Sequence, residues 1–192
     1  MKTKILSLVS IALLTLSSCN RDDDPKIYPE ENPLEAYLTN TGFAQKTINF
    51  INSGNYEFGL KFTPTVKGKV NAITVKIPDA ATNVRVTFWD AASKTVLKTE
   101  TIPSISANTE LKYTLSSSLN LEKDVQYMIT FNANDWYRRN KTDNTAATYP
   151  VTAGNIKIDG YSWISGTTQT FPTNNDTTFY AGDISFVFQR VD

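Results

Sequence analysis

The feature that most constrains the fold of this sequence is a two-residue alternation of apolar and polar side chains. Neighbouring side chains of a β-strand point to opposite faces, so such a run predicts a strand with one buried face. In one example, Tyr127, Ile129 and Phe131 alternate with Met128 and Thr130. Similar alternation occurs at residues 58–62, 84–88, 111–115, 125–131 and 184–188.

Turn-forming residues separate these runs, as in Asn52-Ser53-Gly54-Asn55. Short strands divided by frequent turns, with no segment of helical period in the mature part, predict an all-β antiparallel β-sandwich. Jelly-roll and immunoglobulin-like topologies both fit the pattern, although the Cys…Trp…Cys spacing of immunoglobulins is absent. About nine strands are predicted, at residues 46–51, 56–63, 69–77, 84–90, 95–102, 110–117, 125–133, 155–164 and 179–191.

The beginning of the sequence has the pattern of a secretory signal peptide, predicted for residues 1–18. Lys2 and Lys4 precede an apolar run at residues 5–16. That run is shorter than the roughly 20 residues that a membrane-spanning helix needs. Leu16-Ser17-Ser18-Cys19 resembles the bacterial lipobox, which implies cleavage before Cys19 and acylation of its thiol. An ordinary signal peptide followed by an unmodified cysteine is the alternative.

Residues 19–42 are predicted to form the acylated cysteine and a flexible tether, with at most one helical turn at 34–38. Three consecutive aspartates at residues 22–24 resemble the acidic export signal of Bacteroidetes surface lipoproteins. That resemblance implies an outer-membrane lipoprotein that faces the cell exterior. The prolines nearby favour an extended chain. The β-sandwich domain is predicted for residues 43–192.

The composition argues against several classes of function. Nineteen basic and nineteen acidic side chains give no net charge, so no basic field for nucleic acid is expected. Histidine is absent, which removes the commonest general base and transition-metal ligand. No cofactor is expected, and the protein is predicted not to be an enzyme. A glycosidase needs only two carboxylates, and Asp159 and Asp183 could share a sheet face, but no motif pairs them.

Three segments resemble a bacterial β-sandwich domain of unknown function that occurs in secreted multidomain proteins. They are residues 58–70, residues 86–92 with their Phe88-Trp89-Asp90 strand end, and residues 125–131. The resemblance spans roughly residues 56–137. It implies a β-sandwich module of surface proteins, and it brings no catalytic residues to this chain.

Two segments that break the alternation are predicted to be functional loops, at residues 132–144 and 165–178. The first contains the candidate ligand-binding residues Trp136, Tyr137, Arg138 and Arg139. Aromatic rings can stack on the C–H face of a sugar, and these residue types also dominate protein interfaces. Alternatively, Trp136 caps the sandwich and the arginines are solvated.

In the second loop, Thr177 within Asp176-Thr177-Thr178 resembles a Bacteroidetes O-glycosylation site. The sequence therefore favours a non-enzymatic surface lipoprotein, anchored to the membrane through Cys19, that binds a glycan or a surface protein. A structural accessory subunit of an outer-membrane uptake or secretion complex is the alternative, and an undetected glycoside hydrolase is the third hypothesis.

Overall fold

The computed structural model describes residues 26–192. The predicted signal peptide, Cys19 and the acidic tract lie outside these residues. None of the helices in the described range is long and apolar enough to cross a membrane.

The regular secondary structure of the described chain consists mainly of antiparallel strands, with one α-helix and a single 3₁₀ turn at Phe43–Gln45. The elements in chain order are β1 (Glu30–Glu31), α1 (Leu34–Thr41), β2 (Lys46–Phe50), β3 (Tyr56–Pro64), β4 (Gly68–Val75), β5 (Ala81–Asp90), β6 (Thr95–Ile105), β7 (Leu111–Leu121), β8 (Tyr127–Ala133), β9 (Trp136–Asn140), β10 (Val151–Ala153), β11 (Ile156–Ser165), β12 (Asn174–Asp176), β13 (Phe179–Ala181) and β14 (Ile184–Arg190).

Three sheets make up the fold. The large sheet has the order β10-β11-β3-β8-β5-β6, and β12 also pairs with β11. A four-stranded sheet has the order β1-β14-β4-β7, and a small third sheet has the order β13-β9-β2. The prediction of an all-β antiparallel sandwich is confirmed, although the described residues contain more strands than the nine predicted.

The core lies between the large sheet and the four-stranded sheet. Phe58, Leu60 and Phe62 of β3 point into it, as their alternation predicts, and they are buried. From the other side, Phe186 of β14 places its ring centroid 4.3 Å from that of Phe62. Burying one such side chain contributes about 1.5–3 kcal/mol. Contacts of this kind hold the two sheets face to face.

The segment predicted as a tether at residues 19–42 is folded from Glu30 onward, which corrects that prediction. β1 pairs with β14, and α1 follows Pro33 and ends at Gly42, whose φ is +77°. Leu34, Tyr37 and Thr41 are buried, and their spacing of three and four residues is that of a helix face against a core. Tyr37 attaches this face of the helix to the core, because its ring packs edge-on against that of Tyr180 with centroids 5.3 Å apart.

The two ends of the described chain meet at one end of the sandwich. The Tyr28 hydroxyl donates a hydrogen bond to Asp192 Oδ1 at 2.7 Å, and the Arg190 guanidinium lies 4.3 Å from the Tyr28 ring centroid. Gln189, near the end of β14, pairs with Lys69 near the start of β4. The start of β4 follows closely on the end of β3, so the end of β3 lies near the two chain ends. The beginning of β3 therefore lies at the opposite end of the sandwich.

Candidate functional site

The residues singled out as ligand-binding candidates lie in strand β9, so the prediction of a loop across residues 132–144 is wrong for this part. β9 pairs with β2 on one side and β13 on the other. Trp136 and Tyr137 are 7% and 5% exposed. Because side chains alternate along a strand, Trp136 and Arg138 share one face of the small sheet, while Tyr137 and Arg139 occupy the other.

The face with Trp136 and Arg138 forms one wall of an aromatic cleft. The other wall comes from the beginning of β3 and the end of β11, which are neighbouring strands of the large sheet. The cleft has a volume of about 180 Å³. Its lining residues are Phe50, Tyr56, Phe58, Trp136, Arg138, Tyr161, Trp163, Phe179 and Ala181.

The rings of this aromatic cleft hold one another in fixed orientations. Trp136 stacks on Phe50 with centroids 5.3 Å apart, and Tyr56 meets Trp136 edge-on at 5.0 Å. Tyr56 also contacts Trp163 edge-on, at 5.7 Å. Trp163 is only partly buried, so its ring borders the mouth of the cleft. Offset and edge-on pairs of this kind each add about 0.5–1.5 kcal/mol beyond area burial.

Two of the residues that line the cleft each have a buried polar atom without a hydrogen-bond partner. These atoms are Arg138 Nε and the Tyr161 hydroxyl oxygen, and the described residues contain only two other such buried side-chain atoms. Tyr161 is 1% exposed, and burial raises its pKa well above the ordinary value. An unpaired buried polar group costs about 1–3 kcal/mol, so an occupant that pairs with both groups would recover part of that free energy.

The opposite face of β9 is closed by an ion pair. Arg139 donates to both carboxylate oxygens of Asp183 through Nε and Nη2, and to Thr47 Oγ1 through Nη1 at 2.6 Å. Burial raises the Asp183 pKa, outweighing the opposite effect of Arg139. The Tyr137 hydroxyl donates to Asn108. Tyr137 and Arg139 are therefore held by other side chains and do not line the aromatic cleft.

A second groove of about 570 Å³ lies under α1 beside this ion pair. Glu35, Glu110, Lys76 and Asp183 contribute charges of both signs to its lining. The Arg139 guanidinium that faces it is already occupied by Asp183 and Thr47. None of the buried side-chain atoms that lack a hydrogen-bond partner in residues 26–192 belongs to a residue that lines this groove.

The second predicted loop covers the outer face of the large sheet. We call residues 166–173 the strap. Gln169 Nε2 donates to Thr87 Oγ1 at 2.9 Å and Thr99 Oγ1 at 2.8 Å, and Phe171 meets Trp89 edge-on at 5.7 Å. The strap therefore buries polar side chains of the outer face.

Beneath the strap lies a connected polar network. Glu57 is 0% exposed and accepts hydrogen bonds from Thr130 Oγ1 and from Arg85 Nη2, both at 2.6 Å. Trp89 Nε1 donates to Thr130 Oγ1 at 2.9 Å, and Arg85 Nη1 donates to the Thr167 carbonyl of the strap. The network is a structural element that alternation alone could not have revealed.

The remaining sequence candidates lie apart from one another. Thr177 is exposed between β12 and β13, and its glycosylation stays a prediction. Asp159 lies in β11, where it accepts hydrogen bonds from Thr63 and Gln126, while Asp183 lies between β13 and β14. The expectation that Asp159 and Asp183 share a sheet face is wrong, because the two belong to different parts of the fold.

Comparison with known proteins gives one family match. Residues 44–181 match the family described as Domain of unknown function (DUF4082). This region is well over half of the chain and contains every residue that lines the aromatic cleft. No curated protein matches the chain.

Proposed function

The chain belongs to the DUF4082 family, whose description assigns no function, and we propose one from the aromatic cleft: a non-enzymatic surface module that binds a sugar ring. In this proposal the lipid on Cys19 anchors the protein to the outer membrane, facing the cell exterior. The lipobox-like residues 16–19 and the acidic tract support the anchor. The aromatic cleft supports the binding.

The observation that carries the proposal is the combination of fixed aromatic rings with unpaired polar atoms. A pyranose ring has a C–H face that can pack on Trp136 or Trp163, and hydroxyl groups that can pair with Arg138 Nε and the Tyr161 hydroxyl. The two residues that carry these unpaired atoms line the same small space. A purely hydrophobic ligand would leave them unpaired, at the cost given above.

The size of the cleft favours a single ring. Its volume of about 180 Å³ is below the roughly 300–1,000 Å³ of clefts that hold drug-sized ligands. A terminal sugar or one exposed unit of a longer glycan fits this limit. We therefore expect modest affinity for a free monosaccharide and tighter binding when several copies of the protein engage one polymer.

A glycan array probed with the purified full chain tests this proposal. Trp163→Ala should abolish glycan binding with little loss of stability, because this ring is partly exposed. Tyr28→Ala is the matched control, since Tyr28 is a partly buried aromatic residue at the other end of the sandwich. The absence of binding to every glycan on the array would contradict the proposal. So would equal effects of the two substitutions.

A role as an accessory subunit of an outer-membrane complex is the second candidate. The observation that favours it is the exposure of Val96 and Leu97 on β6, an edge strand of the large sheet. An open strand edge with apolar side chains can accept a strand from a partner. Extraction in mild detergent should then co-purify a membrane protein, and Leu97→Glu should release it. If the wild-type protein co-purifies with no partner, this candidate fails.

A further inference from the structure

We infer that the aromatic cleft selects an acidic sugar, such as a uronic acid, whose carboxylate pairs with Arg138. This inference rests on the proposed sugar-binding function and specifies the class of sugar. It is argued from the charge of the cleft, the orientation of the guanidinium and the position of the Tyr161 hydroxyl.

The charge of the cleft comes from Arg138 alone among the nine lining residues. The other three arginines of the described chain each have a carboxylate partner, Arg85 with Glu57, Arg139 with Asp183 and Arg190 with Asp192. None of the ion pairs in residues 26–192 includes Arg138. Arg138 therefore presents an uncompensated positive charge in a largely apolar site, where a carboxylate is the complementary ligand.

The orientation of Arg138 is fixed before any ligand binds. Its guanidinium lies over the Phe179 ring at 4.4 Å from the centroid, and its Nε is buried without a partner. A planar guanidinium matches a carboxylate through two parallel N–H···O bonds, which an ammonium cannot reproduce. The stacking on Phe179 limits the loss of side-chain entropy on binding.

Tyr161 supplies a neutral hydroxyl near this guanidinium. Its pKa is raised mainly by burial, and the nearby positive charge of Arg138 acts in the opposite direction. The carboxylate opposite Tyr161 in the strand register is Asp176, whose Oδ1 already accepts hydrogen bonds from Thr178 N and Oγ1 at 2.7 Å. Oδ1 of Asp176 is thus engaged within its own turn, and no hydrogen bond or ion pair among residues 26–192 joins this carboxylate to Arg138 or Tyr161.

The test compares matched neutral and acidic sugars on the purified full chain. Methyl β-D-glucuronide and methyl β-D-glucoside differ only at C6, which is a carboxylate in the first and a hydroxymethyl group in the second. The corresponding pairs of galactose and mannose derivatives differ in the same way. Titration followed by tryptophan fluorescence should show at least one acidic sugar binding about tenfold more tightly than its neutral partner. The preference should weaken at high ionic strength.

Variants assign that preference to Arg138. Arg138→Gln should remove the preference for the acid by weakening the acidic sugar far more than its neutral partner, and Arg138→Lys should retain only part of the preference. Arg190→Gln is the matched control, because Arg190 also stacks on an aromatic ring, that of Tyr28, far from the cleft. If Arg138→Gln does not fold, as judged by thermal unfolding, Arg138→Lys and Tyr161→Phe provide the same comparison.

The possible outcomes separate the inference from the function on which it rests. Equal binding of acidic and neutral sugars would overturn the acidic preference and leave sugar binding intact. An acidic preference that survives Arg138→Gln would also overturn the inference. If none of the paired sugars binds and the glycan array is also blank, the proposed function fails as well.

Discussion

The indole of Trp136 lies parallel to the phenyl ring of Phe50, with an angle of 6° between the planes. The two residues are direct register partners on β9 and β2, so the stacked pair joins two strands of the small sheet. The same indole forms a wall of the aromatic cleft. Trp136 therefore contributes to stability as well as to the site, and its substitution cannot by itself identify a binding role.

Trp136→Ala should lower the free energy of unfolding by about 3–5 kcal/mol, as expected when a large buried aromatic side chain is removed. Trp163→Ala should cost much less, because its ring is partly exposed at the mouth of the cleft. Urea unfolding followed by circular dichroism measures both values. Equal losses of unfolding free energy for the two variants would mean that Trp136 contributes no more to stability than Trp163 does.

Neutralising Arg85 should lower the free energy of unfolding more than neutralising its ion-pair partner Glu57. The Glu57 side chain is 0% exposed and that of Arg85 is 25% exposed. Arg85→Gln leaves a carboxylate buried without its cation, which should cost about 3–5 kcal/mol in unfolding free energy. Glu57→Gln should cost less, because the remaining guanidinium reaches water. Denaturant unfolding of the two variants measures the difference.

A surface ion pair serves as the control for this comparison. Lys112 and Glu30 lie 3.0 Å apart with side chains 54% and 39% exposed. Lys112→Gln should change the unfolding free energy by no more than about 1 kcal/mol. The interpretation of the buried network would be contradicted if Arg85→Gln were as mild as Lys112→Gln, or milder than Glu57→Gln.

Buried tyrosines should make the protein lose stability at alkaline pH. Burial raises the pKa of Tyr37, Tyr161 and Tyr180 well above 10, and that of Tyr149 to about 12. A tyrosine in the unfolded chain loses its proton near pH 10, before these folded ones do. Their contribution to stability is therefore complete below pH 10 and is lost as the pH rises through the folded pKa values.

Tyr149→Phe tests this alkaline loss. For Tyr149, the difference between 10 and about 12 corresponds to about 3 kcal/mol. Removing its hydroxyl should flatten the fall of the unfolding free energy above pH 10, although it also removes the 2.6 Å hydrogen bond to Tyr37 at every pH. Thermal melts at a series of pH values measure the slope. Identical slopes for wild type and variant would refute the prediction.

Substitution by alanine should destabilise the protein at Gly182 but not at Gly160. Gly182 has a φ of +116°, and an added Cβ would lie 2.4 Å from Phe131 Cε1. Gly182→Ala should therefore cost about 1–3 kcal/mol or more through backbone strain and overpacking. Gly160→Ala is the matched control, because a Cβ there meets no atom within 4 Å. Comparable unfolding midpoints for the two variants would contradict this account.

Alternation predicted most of the sheets because most strands have one face in the core. All nine predicted strands are present, although the last is divided into β13 and β14 around Gly182 and Asp183, whose φ values are positive. The strands that the prediction omitted are β1, β9, β10 and β12. Three of these have only two or three residues, too few for an alternation to appear.

β9 was missed for a different reason. One of its faces lines the aromatic cleft, and on the other face Tyr137 and Arg139 bond to Asn108 and Asp183, so each face carries both an aromatic and a basic residue and neither is apolar. Arg139 is one of the polar residues that break the pattern, and its partner Asp183 is 44 positions away. Two residues so far apart in sequence are brought together only by the fold, so the sequence around Arg139 does not indicate its partner.

The residue types in the sequence indicate part of the candidate site, but their spacing does not show which distant residues complete it. Aromatic and basic side chains that stand together in the sequence indicate Trp136 and Arg138, and both line the cleft. The same reasoning indicates Tyr137 and Arg139, which face away from it. Phe50, Tyr56 and Phe179 complete the cleft from distant strands, and their alternation or position in the chain gave no reason to group them. For α1, the signal was available in the spacing of Leu34, Tyr37 and Thr41.

The meeting of Tyr28 and Asp192 at one end of the sandwich determines how the protein can be handled in a binding assay. β3 starts beside the aromatic cleft and finishes toward these chain ends, and its nine residues span roughly 26 Å at the usual rise of a strand. An affinity tag fused after Asp192 would attach the protein to a sensor chip by the end remote from the cleft. Immobilised molecules would then all present the cleft to the flowing sample.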